Sequence, residues 1–133
     1  MLKALIVLTL VLISKVATAQ NNPLYLFGGD GHKEFLGCLN CSSTHTKSVW
    51  NEMSSFGLKN DFGLWNPFGQ FINPFSSYSM CNEFASDPPI IVDDEGRAYG
   101  RMSINEFAPG SVCGIKAYER LCRVVRLICQ SKN

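Results

Sequence analysis

A four-residue motif written three times governs the middle of this chain: Ser48-Val49-Trp50-Asn51, Gly63-Leu64-Trp65-Asn66 and Ser79-Met80-Cys81-Asn82. Each copy runs into Glu or Pro and then a hydrophobic residue (Met53, Phe68 or Phe84), and the asparagines fall 15 and 16 residues apart. Such spacing predicts one small structural unit used again and again. Ser48 and Ser79 are good helix N-caps and Gly63 is an acceptable one. The Asn three positions on sits where a capping-box side chain reaches back to the cap amide. The motif therefore predicts short helical turns. Trp50, Trp65, Phe56, Phe68 and Phe84 are expected to bury their apolar side, with the two tryptophans as core anchors; the alternative is an exposed Trp/Phe platform for a ligand. Gly57 and Gly69 are expected to end two of the units in the left-handed conformation. Units this short do not hold as isolated helices, so packing must hold them.

The first nineteen residues read as a secretory signal peptide. Lys3 supplies the positive start, Ala4 to Ile13 is apolar apart from Thr9, and Ala17-Thr18-Ala19 is a small-x-small cleavage site. The apolar run is shorter than the roughly 20 residues that span a bilayer. Residues 1–19 are thus expected to leave, and residues 20–133 to form a single exported domain, periplasmic or secreted, with no stable membrane insertion. Export changes the reading of all six cysteines, Cys38, Cys41, Cys81, Cys113, Cys122 and Cys129. In an oxidising compartment an even count predicts disulfides, with the pairing left open by sequence. At least one bridge is expected to tie the C-terminal segment to the body.

Leu24–Phe27 is an apolar run stopped by Gly28-Gly29-Asp30-Gly31, and a second strand is expected at 34–40. Pro88-Pro89 forces extended chain into Ile90-Ile91-Val92, the Asp93–Gly96 turn follows, and a returning strand is expected over 98–105. The two hairpins also match each other at an offset of 63 residues, with Asp30 over Asp93, Gly37 over Gly100 and Ser48-Val49 over Ser111-Val112. Ile115, Tyr118, Cys122, Val125 and Cys129 recur at three and four, predicting a helix over 115–129 with that stripe buried. The expected fold class is α+β: a small antiparallel sheet from two hairpins, short helical turns in the middle and a C-terminal amphipathic helix, stabilised by disulfides.

Charge is nearly balanced but unevenly placed. Residues 115–133 carry Lys116, Arg120, Arg123, Arg126 and Lys132 against Glu119 alone, while the remainder of the exported part is acidic. That polarity argues against nucleic-acid binding, which needs a broad basic face. It leaves Lys116, Arg120 and Arg123 as candidates for meeting an acidic partner.

His32, Cys38, Cys41 and His45 have the residue types and spacing of a tetrahedral zinc site. Against this, exported thiols oxidise, and a disulfide removes the thiolates that zinc needs. No metal or cofactor is therefore expected. Cys38-x-x-Cys41 follows a strand rather than opening a helix, which is wrong for thioredoxin-like chemistry. Cys38 and His45 could in principle pair as nucleophile and base, but no protease, phosphate-loop or calcium-loop signature surrounds them. Asp93, Asp94 and Glu95 lie in an expected turn, where acidic residues are ordinary. No catalytic residue is assigned.

The stretches Phe35-Leu36-Gly37-Cys38-Leu39-Asn40, Ser48-Val49-Trp50-Asn51-Glu52, Trp65-Asn66-Pro67-Phe68-Gly69 and Pro88-Pro89-Ile90-Ile91-Val92-Asp93-Asp94-Glu95-Gly96-Arg97-Ala98-Tyr99-Gly100 resemble small exported bacterial proteins of uncharacterised function. Those carry Ser-x-x-Asn-Pro-Tyr-Gly repeats preceded by a Tyr-Leu-Gly-x-Leu strand. The likeness covers roughly residues 30–112 and departs in the Cys-rich tail and in Phe where tyrosines are usual. It implies a bacterial, exported protein and transfers no catalytic residues. The leading expectation is a non-enzymatic interaction module whose partner is a protein or a cell-envelope component. The alternatives are an inhibitor or immunity-type protein against a cell-wall-active hydrolase, and a small secreted hydrolase with an unrecognised site.

Overall fold

The computed structural model describes residues 22–131; the expected signal peptide lies outside them. Strand β1 (Leu24–Gly28) and strand β2 (Glu34–Cys38) form the first hairpin, turned by a single 3-10 turn at Asp30–His32. Strand β3 (Ile90–Asp93) and strand β4 (Ala98–Arg101) form the second. β1 pairs antiparallel with β3, Leu26 opposite Ile91 and Phe27 opposite Ile90, so the sheet runs β2-β1-β3-β4. Alternation then sends Leu26, Leu36 and Ile91 into the core, as a sheet with one covered face requires. Tyr25, Phe27 and Phe35 stay half-exposed on the other face, where Phe35 meets Tyr25, Phe27 and Phe56 ring to ring.

Both outer strands end sooner than the sequence suggests, and for the same reason. The Cys38 amide donates to the Lys47 carbonyl and the Val49 amide to the Cys38 carbonyl, so β2 hands over to Ser48 in a parallel bridge. Sixty-three residues on, Arg101 makes the same pair of bonds with Gly110 and Val112 and the same bridge to Ser111. Gly37 and Gly100 precede these crossings at φ 121° and 107°, a region that side chains disfavour. A Cβ on Gly37 would also meet Val49 at 2.7 Å.

Val49, Leu64 and Met80, the second residue of each motif copy, are fully or almost fully buried, and Trp65 shares their core at 0% exposure. Trp50 is half-buried and packs edge-on against Trp65, ring centroids 5.9 Å apart. The surrounding chain is a succession of turns rather than helices: amides of Asn51, Ser54, Gly57 and Asn60 each donate to the carbonyl three residues back. Only Gly63–Trp65 closes into a 3-10 turn.

Three expectations for this region need correcting. Asn51 and Asn82 do not reach back to a cap amide; their Nδ2 groups donate to the carbonyls of His45 and Ser76. Gly57 and Gly69 are not left-handed. Gly57 is required by close approach, since a Cβ there would run into the Asn51 carbonyl. Phe68 and Phe84, expected inside, are 90% and 89% exposed.

The C-terminal helix α1 spans Glu119–Ser131 and follows a 3-10 turn at Lys116–Tyr118. It buries Cys122, Val125 and Ile128. Ile115 is extended at φ −114° and 37% exposed, so the helix begins later than its sequence period implies and Ile115 drops out of the buried stripe. All six cysteines pair, as Cys38–Cys41, Cys81–Cys129 and Cys113–Cys122. The second bridge fastens the helix to the middle of the chain. Among the described residues no helix is long and apolar enough to cross a membrane.

Candidate interaction surface

Asparagine decides where the hydrophobic side chains on the surface point. At Asn51, Asn60, Asn66, Asn73, Asn82 and Asn105 the side-chain Oδ1 accepts the amide hydrogen of the residue two places on, at 2.9–3.0 Å. This Asx turn mimics a backbone turn. The residue two places on is Met53, Phe62, Phe68, Phe75, Phe84 or Phe107, and each is 78–90% exposed. Scattered exposed apolar residues need no explanation, but six held outward by one device do. Nδ2 groups fix the turns further. Those of Asn51 and Asn82 donate six residues back, to the carbonyls of His45 and Ser76, whereas Asn105 Nδ2 donates to the Glu83 carbonyl at 2.9 Å, joining the Phe84 turn to the Phe107 turn.

These turns fall into neighbourhoods. Met53 and Phe62 share a shallow groove with Glu52, Lys59 and Asp61. Phe75 and Phe84 share an apolar groove floored by Pro74 and Ile104, and Phe84 and Phe107 share the next one with Glu83, Glu106 and Arg126. Glu83 and Glu106 are exposed and make no ion pair among the described residues.

The basic candidates Lys116, Arg120 and Arg123 are all exposed. Lys116 and Arg123 line one groove with Glu119 and Arg126, but Arg120 does not face it. Arg123 bonds Glu119 one turn back at 3.1 Å, a surface pair that adds little stability. Arg126, which sequence reasoning did not single out, lies where three grooves meet. Phe62, Phe75 and Phe107 were also missed, although the Asn-x-Phe spacing was there to be read.

The zinc-like quartet does not assemble. Cys38 and Cys41 are bonded to each other. His32 Nε2 lies 2.9 Å from Asp87 Oδ1 and 3.1 Å from the Pro88 carbonyl, and His45 Nδ1 accepts the Lys47 amide. Among the described residues no three His, Cys, Asp or Glu are placed to hold a metal. The disulfide likewise takes the thiol that a Cys38–His45 nucleophile pair would need.

Among the described residues Asp93 is the one strongly perturbed acid. Burial pushes its carboxyl up, but bonds from the Arg97 amide, the Tyr99 hydroxyl, the Arg97 guanidinium and the Glu95 amide outweigh burial and hold it far below the usual carboxylate range. Every partner lies within its own hairpin, so this group locks the β3–β4 turn. Asp94 and Glu95 stay exposed beside it. No protein-family model, curated protein or solved structure matches the chain.

Proposed function

We propose that this protein is an exported, non-enzymatic interaction module of the periplasm or cell exterior that docks a protein or envelope component through hydrophobic side chains on Asx turns. The observation that supports this reading is the set of six outward Met and Phe side chains, each fixed by its asparagine. Wet aromatic surface forfeits about 25 cal/mol for each Å² left unburied, and ordering the turns beforehand lowers the entropy cost of binding. Three disulfides favour an oxidising compartment. The most perturbed acid is accounted for by structure alone, which weighs against the hydrolase alternative.

The test compares two forms of the chain from Gln20, wild type and Met53→Ser/Phe62→Ser/Phe68→Ser, as baits on native envelope and soluble exported fractions. All three sites are on the surface, so both baits should melt together. The reading expects a saturable, stoichiometric component retained by the wild type and lost from the variant. Equal retention by both, or none by either, would overturn it.

A further inference from the structure

We infer that the two adjoining grooves walled by Phe75, Phe84 and Phe107 dock a cationic, amphipathic peptide segment of a partner protein, in which lysine or arginine stands beside apolar residues. Phe75 and Phe84 line the first groove, Phe84 and Phe107 the second. The three rings are 90%, 89% and 86% exposed, and each is held outward by its own Asx turn. Glu83 is the only charged side chain lining the first groove. In the second it is joined by Glu106 and by Arg126. Neither glutamate makes an ion pair among the described residues. The Met53 turn differs in this respect, because Glu52 beside it is paired with Lys59 at 3.1 Å.

Asn82-Glu83-Phe84 and Asn105-Glu106-Phe107 are the same tripeptide, so each of these turns sets a carboxylate next to an outward ring. A side chain that meets both needs a long apolar stem and a positive head, and lysine and arginine have them. The stem covers the ring, the cation is attracted to the ring face, and the head reaches the carboxylate. An acidic segment is repelled by both glutamates, and a purely apolar one would bury them unpaired at a large desolvation cost. An anionic bilayer is disfavoured on the same ground, since attraction to it comes from lysine and arginine. Of the two grooves Arg126 lines only the second, where it opposes a bound cation. The inference rests on reading the Asx-turn hydrophobics as contact points and names the chemistry that three of them meet.

A short, capped, fluorescent peptide of lysine and leucine in equal number, titrated into the disulfide-intact chain from Gln20, tests this by anisotropy, with amide NMR shifts locating the contact. Binding should saturate, move the Phe75, Phe84 and Phe107 amides, and weaken at high salt, where exposed charges are screened. Glu83→Gln/Glu106→Gln should weaken it about tenfold. Phe75→Ser/Phe84→Ser should weaken it about thirtyfold, whereas Arg126→Gln should tighten it about threefold. If the double phenylalanine variant melts early, Phe84→Ser alone replaces it and should weaken binding about fivefold. Absence of binding, equal affinity for a glutamate–leucine or lysine–serine peptide, unchanged affinity in the variants, or shifts confined to other residues overturns the inference. Retention by phosphatidylglycerol vesicles in place of peptide binding would assign the surface to a bilayer and overturn it too. Capture through Met53, Phe62 and Phe68 is read separately, so peptide binding without capture sinks only the proposed function, and capture without peptide binding sinks only this inference.

Discussion

The indole N–H of Trp65 donates to the carbonyl of Val49 at 3.0 Å. This bond makes the second motif copy part of the first. Trp65 is fully buried and its one polar atom is satisfied, while Trp50 Nε1 donates to the Leu39 carbonyl at 2.7 Å from a half-exposed ring. Replacing Trp65 with Ala should cost about 3–5 kcal/mol, as for large core aromatics. Trp50→Ala should cost less, because part of that ring is already wet. Denaturant midpoints at unchanged slope check the order; equal losses would show that Trp50 matters through its contact with Trp65 rather than through its own burial.

Cys81 and Cys129 lie 48 residues apart, against 3 for Cys38 and Cys41. In the chain-entropy account, closing the longer loop stabilises by about 4 kcal/mol and the shorter by about 2 kcal/mol. Cys81→Ala/Cys129→Ala should therefore melt well below Cys38→Ala/Cys41→Ala. Titration of the denatured, unreduced wild type should find no free thiols. A larger loss from the short loop would mean that the Cys38–Cys41 bridge acts by holding the β2 crossing to Ser48 in place.

The sheet was legible because Ile90-Ile91-Val92 and Leu24–Phe27 are apolar, strand-favouring runs closed by Gly and Asp turns. The helix was legible from the period of Cys122, Val125 and Cys129. Where reading failed, a local competitor had won. Ser48, Asn51 and their counterparts offer side-chain oxygens to nearby amides, which stabilises Asx and Ser turns at the expense of helix. A helical period places Phe68 and Phe84 inward, whereas an Asx turn places them outward. The strand ends were overshot because Cys38 and Arg101 spend their backbone groups on Ser48 and Ser111 neighbours, contacts that no local pattern announces.

Asp93 couples the β3–β4 hairpin to acid. Its folded carboxyl sits far below the ordinary value, which is about 3.9 in an unfolded chain. The unfolded state thus binds the proton first, and stability rises with pH across this interval. The contribution is complete above about pH 4 and fades as pH falls toward the folded value. Asp93→Asn should lower the melting temperature at neutral pH, and the gap to wild type should narrow steadily as pH falls below about 4. Melts from neutral to strong acid check this; a gap that stays constant would show that the carboxylate's charge is not what the hairpin uses.

Asn105 divides its side chain between two turns that lie 22 residues apart. Its Oδ1 accepts the Phe107 amide, and its Nδ2 reaches across to the Glu83 carbonyl, tying together the turns that carry Phe84 and Phe107. Asn105→Asp keeps the acceptor but loses the donor and sets a carboxylate against a carbonyl oxygen. Asn105→Ala loses both bonds, each of which contributes about 1 kcal/mol. Amide hydrogen exchange should therefore quicken at Phe107 only in the Ala variant, whereas the relative position of the two rings should loosen in both. If the two rings keep their wild-type separation in the Asp variant, read by ring-to-ring NOEs, the Nδ2 bond does not tie the turns together and each phenylalanine is held by its own Asx turn.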